Sequence, residues 1–229
     1  MKFRRYPDFP EYILLDLVDP NNVTFKRGAG EEFLLHREFE VWNQYFVSPS
    51  YAPPEGKDIL LFHTCTWSKP YDFSFIGESI RKVTDKYPRV HRVILSNAGV
   101  IPYEYQMNPT FCCYDWKPTE VQRREKAEIL KLQQRYRQVT LQRIKEFLYA
   151  HGSKYKSIGL LGLPIKQGGI QSVYRIACEL RIPFFHAPTV DTFRSRKHDF
   201  EKLCDPGVFF TFPEVLEDLN NALGTACGE

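Results

Sequence analysis

Apolar residues fall into short uninterrupted runs separated by longer amphipathic stretches. The runs 59–62, 90–95, 157–163, 182–187 and 208–212 are too short for helices and are bounded by turn residues, such as Pro53, Pro54 and Gly56 before the first, so each predicts a buried strand. Between them, apolar residues recur at helical spacing over 31–46, 75–86, 118–150, 170–180 and 213–223. Thr119 beside Pro118 marks one helix start, and Gly224 a helix end. Strands alternating with helices predict an α/β domain of three layers, α/β/α, with a short parallel sheet covered on both faces. Residues 96–102 read as a loop, 103–116 lack a clean period and read as a long loop or short irregular segments, and 189–204 as polar, basic and helical in part. Residues 1–34 form an N-terminal extension, where 12–18 and 23–25 suggest a hairpin packed on the domain, and 35–229 form the domain itself.

A length of 229 residues and an aromatic-rich apolar share suffice for one large core without covalent staples, and a net charge of +3 does not by itself demand nucleic acid. The six cysteines, Cys65, Cys112, Cys113, Cys178, Cys204 and Cys227, lack metal-type spacing. Free thiols, no metal, no cofactor and a cytoplasmic location are expected, with no secretory segment and no membrane span. The long helix carries Arg123, Arg124, Lys126, Lys131, Arg135, Arg137, Arg143 and Lys145 on one face. Interleaved Glu120, Glu125, Glu128 and Glu146 favour a solvated face over a phosphate-binding one.

The densest chemistry follows the run at 59–62: His63, Thr64, Cys65, Thr66, Ser68, Lys69, Tyr71 and Ser74 lie at a strand exit, where open α/β sheets bind ligands. A nucleophilic cysteine needs a cation, a histidine or a helix N-terminus, and Cys65 has His63, Lys69 and a helix start nearby. Alternatively Cys65 is a small buried hydrophobe and the hydroxyls cap the next helix. Tyr71 offers a stacking face for a base, or simple packing as with Trp67. A second cluster, 112–116, sets Asp115 beside Tyr114 and Trp116. There Asp115 either meets donors on the edge of a flat heterocycle or serves as a turn residue. Lys166, among glycines at a strand-to-helix turn, is a weak anion-site candidate that does not fit the P-loop spacing. His186 reads as an edge histidine.

Residues 64–74, Thr-Cys-Thr-Trp-Ser-Lys-Pro-Tyr-Asp-Phe-Ser, resemble the archaeosine synthase signature P-C-S-x-x-K-P-Y-S-x-S-x-S-H, from an archaeal paralogue of the tRNA-guanine transglycosylases. The order of elements agrees over roughly 35–190, including a Tyr-Asp pair before a long helix. The resemblance implies a core like the uracil-DNA-glycosylase fold and action on a 7-cyano-7-deazaguanine base in tRNA, whose nitrile becomes an amidine-type group by amine addition. Cys65, Lys69, Pro70, Tyr71, Ser74 and Asp115 match. Taken with the residue readings above, the match assigns Cys65, Lys69 and Asp115 to catalysis, and Thr66, Ser68, Pro70, Tyr71, Ser74, Tyr114 and Lys166 to substrate binding. Thr64, Thr66, Asp72, Ile76 and Gly77 depart from the pattern, and Gly77 removes a histidine that would serve as a base. The expected partner is tRNA or a modified-base small molecule. The family's RNA-binding PUA domain has no counterpart after 190, which implies a separate RNA-binding subunit or another substrate. A non-catalytic nucleic-acid-binding or assembly module is the alternative, and base excision comes third.

Overall fold

The computed structural model describes residues 25–28, 30–116, 126–164 and 169–228. Five strands form the main sheet: β2 (Ile59–Thr64), β3 (Val90–Ser96), β4 (Gly99–Pro102), β6 (Ser157–Leu161) and β7 (Phe184–Ala187). Their order is β4-β3-β2-β6-β7, and all neighbours are parallel except the antiparallel β3–β4 pair. A separate parallel pair joins β1 (Lys26–Gly28) to β5 (Tyr114–Trp116). The helices are α1 (Glu31–Leu34), α2 (Arg37–Val47), α3 (Phe75–Thr84), α4 (Pro109–Cys112), α5 (Lys126–His151), α6 (Gly169–Glu179), α7 (Val190–Glu201) and α8 (Pro213–Cys227).

Alternation along β2 builds the layers, because successive side chains leave opposite faces of a strand. Leu60 and Phe62 join Trp42 and Phe46 of α2, Phe147 and Leu148 of α5, and Val173 of α6 in one core. Ile59 and Leu61 join Ile80 of α3, Phe209, and Leu219 of α8 in the other. The three-layer α/β/α architecture is therefore as the pattern predicts. Among the described residues no helix is long and apolar enough to cross a membrane.

The topology sets a switch point in the sheet. The crossover through α3 carries the chain from β2 to β3 on one side, and β6 pairs on the other side of β2 and leads through α6, on the opposite face, to β7. The carboxyl ends of β2 and β6 thus flank a switch point, the place where open α/β sheets bind their ligands.

Several expectations are corrected. The single helix over 31–46 is two, because the His36 ring accepts the Glu38 N–H and caps α2. Residues 96–102 are not a loop but a tight turn into β4. Its Gly99 has φ +145°, and a side chain there would strike Asn43. The irregular stretch 103–116 contains a 3-10 turn at Tyr103–Tyr105, then α4 and β5. The strand over 208–212 is a 3-10 helix, Pro206–Thr211: the Asp205 side chain accepts the Gly207 N–H, and Phe209 fills the core beside α7 and α8. An apolar run of that length has no period to separate the two. The closing helix runs through Gly224 and ends at Gly228, whose φ of +80° suits glycine. Arg143 is buried and bonded to the Leu34 carbonyl and Glu40, so it is not on a solvated face. Residues 12–18, 23–24 and 118–125, with Thr119, lie outside the described residues.

Gly159 on β6 faces the Phe185 ring, and a Cβ there would lie 2.2 Å from Cζ. Gly159→Ala should cost about 1–3 kcal/mol as an overpacked core does, read as a lower denaturant midpoint at unchanged slope.

Candidate active site

Strand β2 ends at Thr64, but its ladder carries one step further: the Cys65 N–H donates to the Leu95 carbonyl at 3.0 Å. Cys65 is therefore held level with Ser96 at the end of β3, half-buried against the core that contains Phe62. The chain then turns sharply. Buried Thr66 donates its hydroxyl to the Ser68 carbonyl at 2.8 Å, and Trp67 and Ser68 point to solvent. A cis Lys69–Pro70 peptide leads into a 3-10 turn at Tyr71–Phe73. Ser74 caps α3, accepting the Gly77 N–H at 2.9 Å and donating to the Tyr71 carbonyl at 2.6 Å. Ser74 and Thr66 are thus committed to shaping the loop. A Cβ on Gly77 would lie 2.1 Å from the Tyr71 carbonyl oxygen. A side chain has no room at this position, so glycine goes with the tight junction between turn and helix.

Lys69 turns back over this loop. Its ammonium donates to the Trp67 carbonyl at 3.1 Å and sits 4.1 Å above the centre of the Tyr114 ring. Tyr114 comes from β5, and its hydroxyl lies 2.5 Å from that of Tyr71. Both rings are buried, so Tyr71 offers no free face for stacking and contributes its hydroxyl instead. Cys65, Lys69, Tyr71 and Tyr114 are brought together. Asp115 is at the margin: its carboxylate pairs with Arg27 on the neighbouring strand at 3.2 Å, although it still helps to hold the Lys69 charge. Lys166 lies outside the described residues, and His186 sits on edge strand β7, stacked near Phe184.

Electrostatics push the thiol and the amine toward neutrality. Burial raises the Cys65 pKa, while the Lys69 ammonium and backbone N–H groups, including that of Asn97, pull it back. Burial lowers that of Lys69, against the opposing pull of Cys65, Asp115 and Cys112. His63 is not the partner of Cys65. It is fully buried, its Nδ1 bonds to the Thr64 carbonyl at 3.0 Å, and burial with the nearby Arg92 holds its pKa down to about 3. It stays neutral at physiological pH.

Some neighbours were not singled out from the sequence. Ser96 lies near both tyrosines and acts to lower their pKa, and Asp205 lies close enough to oppose ionisation of Cys65. Beneath the loop, buried Asp72 accepts from Arg92 Nη2 at 2.6 Å and from the Tyr103 hydroxyl at 2.6 Å. The Arg92 guanidinium lies 3.8 Å above the Tyr103 ring. The one legible signal was Arg92 itself, a charge inside an apolar strand that demands a partner. Among the described residues, no three His, Cys, Asp or Glu side chains gather as a metal site.

No family model and no curated protein matches the chain. Among solved structures, it is similar to the crystal structure of AF0587, a protein of unknown function, with a TM-score of 0.48 and 15% identity over 80% of this chain and 49% of that one. The chain thus spans about half the length of that protein.

Alkylation of Cys65 by iodoacetamide, followed on its own peptide, should have a midpoint above that of an ordinary thiol, since burial favours the protonated form and thiolate appears only as pH rises. Lys69→Met should move the midpoint higher still. A midpoint at or below the ordinary value, or one indifferent to Lys69, contradicts this electrostatic picture.

Proposed function

We propose that the site is a nucleophilic heterocycle site of the archaeosine-synthase type, which adds an amine to the nitrile of a 7-deazaguanine-type base carried in tRNA. The observation that carries the reading is the Lys69 amine, stacked on Tyr114 and in the field of Cys65, at the carboxyl end of the strand beside the switch point. The Cys-x-x-x-Lys-Pro-Tyr resemblance and the three-layer core support it. In the first step the Cys65 sulfur adds to the nitrile carbon, and the thiol proton ends on nitrogen, giving a thioimidate. An amine then adds to the same carbon and the thiol departs with a proton, leaving an amidine. Both steps balance without an oxidant or reductant.

A protonated Cys65 thiol and a Lys69 of lowered pKa suit this chemistry, because a lysine that gives up its proton more readily can take the thiol proton as the sulfur attacks. Exposed Trp67, at the rim, offers a face to a base in place of Tyr71. The burial that raises the Cys65 pKa also favours a second reading, a non-catalytic nucleic-acid-binding or assembly module in which Cys65 only packs.

Incubation with 7-cyano-7-deazaguanine, alone and within tRNA, followed by mass spectrometry, separates the two. The enzyme reading expects the full mass of the nitrile compound on the Cys65 peptide and none on Cys65→Ala. Unmodified Cys65 with both substrates would sink it, and tRNA retained at low salt in that case would leave the module.

A further inference from the structure

Three hydroxyls are buried together beside Cys65. Those of Tyr71 and Tyr114 touch at 2.5 Å, and Ser96, which accepts the Ala98 N–H at 2.9 Å, lies beside both. Their residues are only 1%, 3% and 6% exposed. Parallel pairing of Thr64 with Leu95 sets Cys65 level with Ser96, about 4.8 Å away across the ladder. Cys65 packs against the same core as both tyrosines. Phenylalanines would fill this space without polar groups to satisfy, so packing alone does not account for the hydroxyls.

We propose that Tyr71, Tyr114 and Ser96 form a hydrogen-bonding hole for the negative charge that develops when Cys65 adds to a polarised carbon–nitrogen multiple bond. Tyr114 donates to the reacting nitrogen, and Tyr71 and Ser96 are positioning residues. This rests on reading Cys65 as a nucleophile. With Tyr71 donating to the Tyr114 oxygen, the Tyr114 proton is left for the site. As the S–C bond forms, the π pair moves onto nitrogen and Tyr114 protonates it. The thiol proton restores the tyrosine, and Lys69, which lies above the Tyr114 ring and in the field of Cys65, steadies the charge while it moves. The net change is transfer of one proton from sulfur to nitrogen. Buried donors of this kind act before any solvent must reorganise.

Two reagents applied to the full chain isolate the effect. Pyrimidine-2-carbonitrile adds to a thiol and places charge on nitrogen, whereas iodoacetamide is displaced and places none there. Tyr114→Phe should slow nitrile addition at Cys65 by about 10²-fold, as loss of one such donor does, and leave alkylation essentially unchanged. Tyr71→Phe and Ser96→Ala should fall in the same direction by less. Equal loss of both reactions in all three variants, or loss of neither, overturns the hole, as does a wild-type protein that adds no nitrile. A wild type that adds pyrimidine-2-carbonitrile with this dependence on Tyr114, but not the deazaguanine nitrile, upholds the hole and rejects the substrate proposed above.

Discussion

The contact between the Tyr71 and Tyr114 hydroxyls is what the site depends on. It joins the loop after β2 to strand β5, positions 43 residues apart in the chain. Among the described residues, strand β5 otherwise pairs with the three residues of β1, outside the main sheet. Through this contact the Tyr114 ring comes beneath the Lys69 ammonium and beside Cys65. The loop side is fixed in turn by the Ser74 cap, the close approach of Gly77 to the Tyr71 carbonyl, and the ion pair of Asp72 with Arg92. A buried ion pair of this kind is weak evidence for stability but strongly penalises loss of one partner. It sets the turn at Tyr71–Phe73 in one place.

What local pattern encodes was legible. Each strand of the parallel core shows as an apolar run, and the polar cluster after β2 marks the strand exit beside the switch point. What depends on distant pairing was not. Strand β4 is four residues long and needs Gly99 against Asn43, and β5 is three residues long and needs β1, so neither leaves a period in the sequence. The aromatic run ahead of α8 became a 3-10 helix because Asp205 caps its start and the core accepts its rings.

Within the site, the sequence pointed to Cys65, Lys69, Tyr71 and Tyr114, which the fold brings together. It misread what Tyr71 presents, because burial of the ring is set by residues far away in the chain. Capping, the alternative to a binding role for the hydroxyls, holds for Ser74, whereas Thr66 closes the loop on the Ser68 carbonyl. Ser96 carried no signal at all: a serine at a strand end becomes significant only when two tyrosines from other segments converge on it.

The resulting environment drives thiol and amine alike toward their neutral forms and keeps hydroxyl donors dry beside them. Such a site disfavours a resting thiolate and favours transfer of the thiol proton as bond formation begins. The most direct test is carbon-13 NMR of 7-cyano-7-deazaguanine labelled at the nitrile carbon, bound to the protein at saturation. The account predicts that the nitrile resonance gives way to a trigonal, sulfur-bonded carbon with the wild type and persists with Cys65→Ala. A nitrile resonance unchanged in the saturated wild-type complex would contradict it.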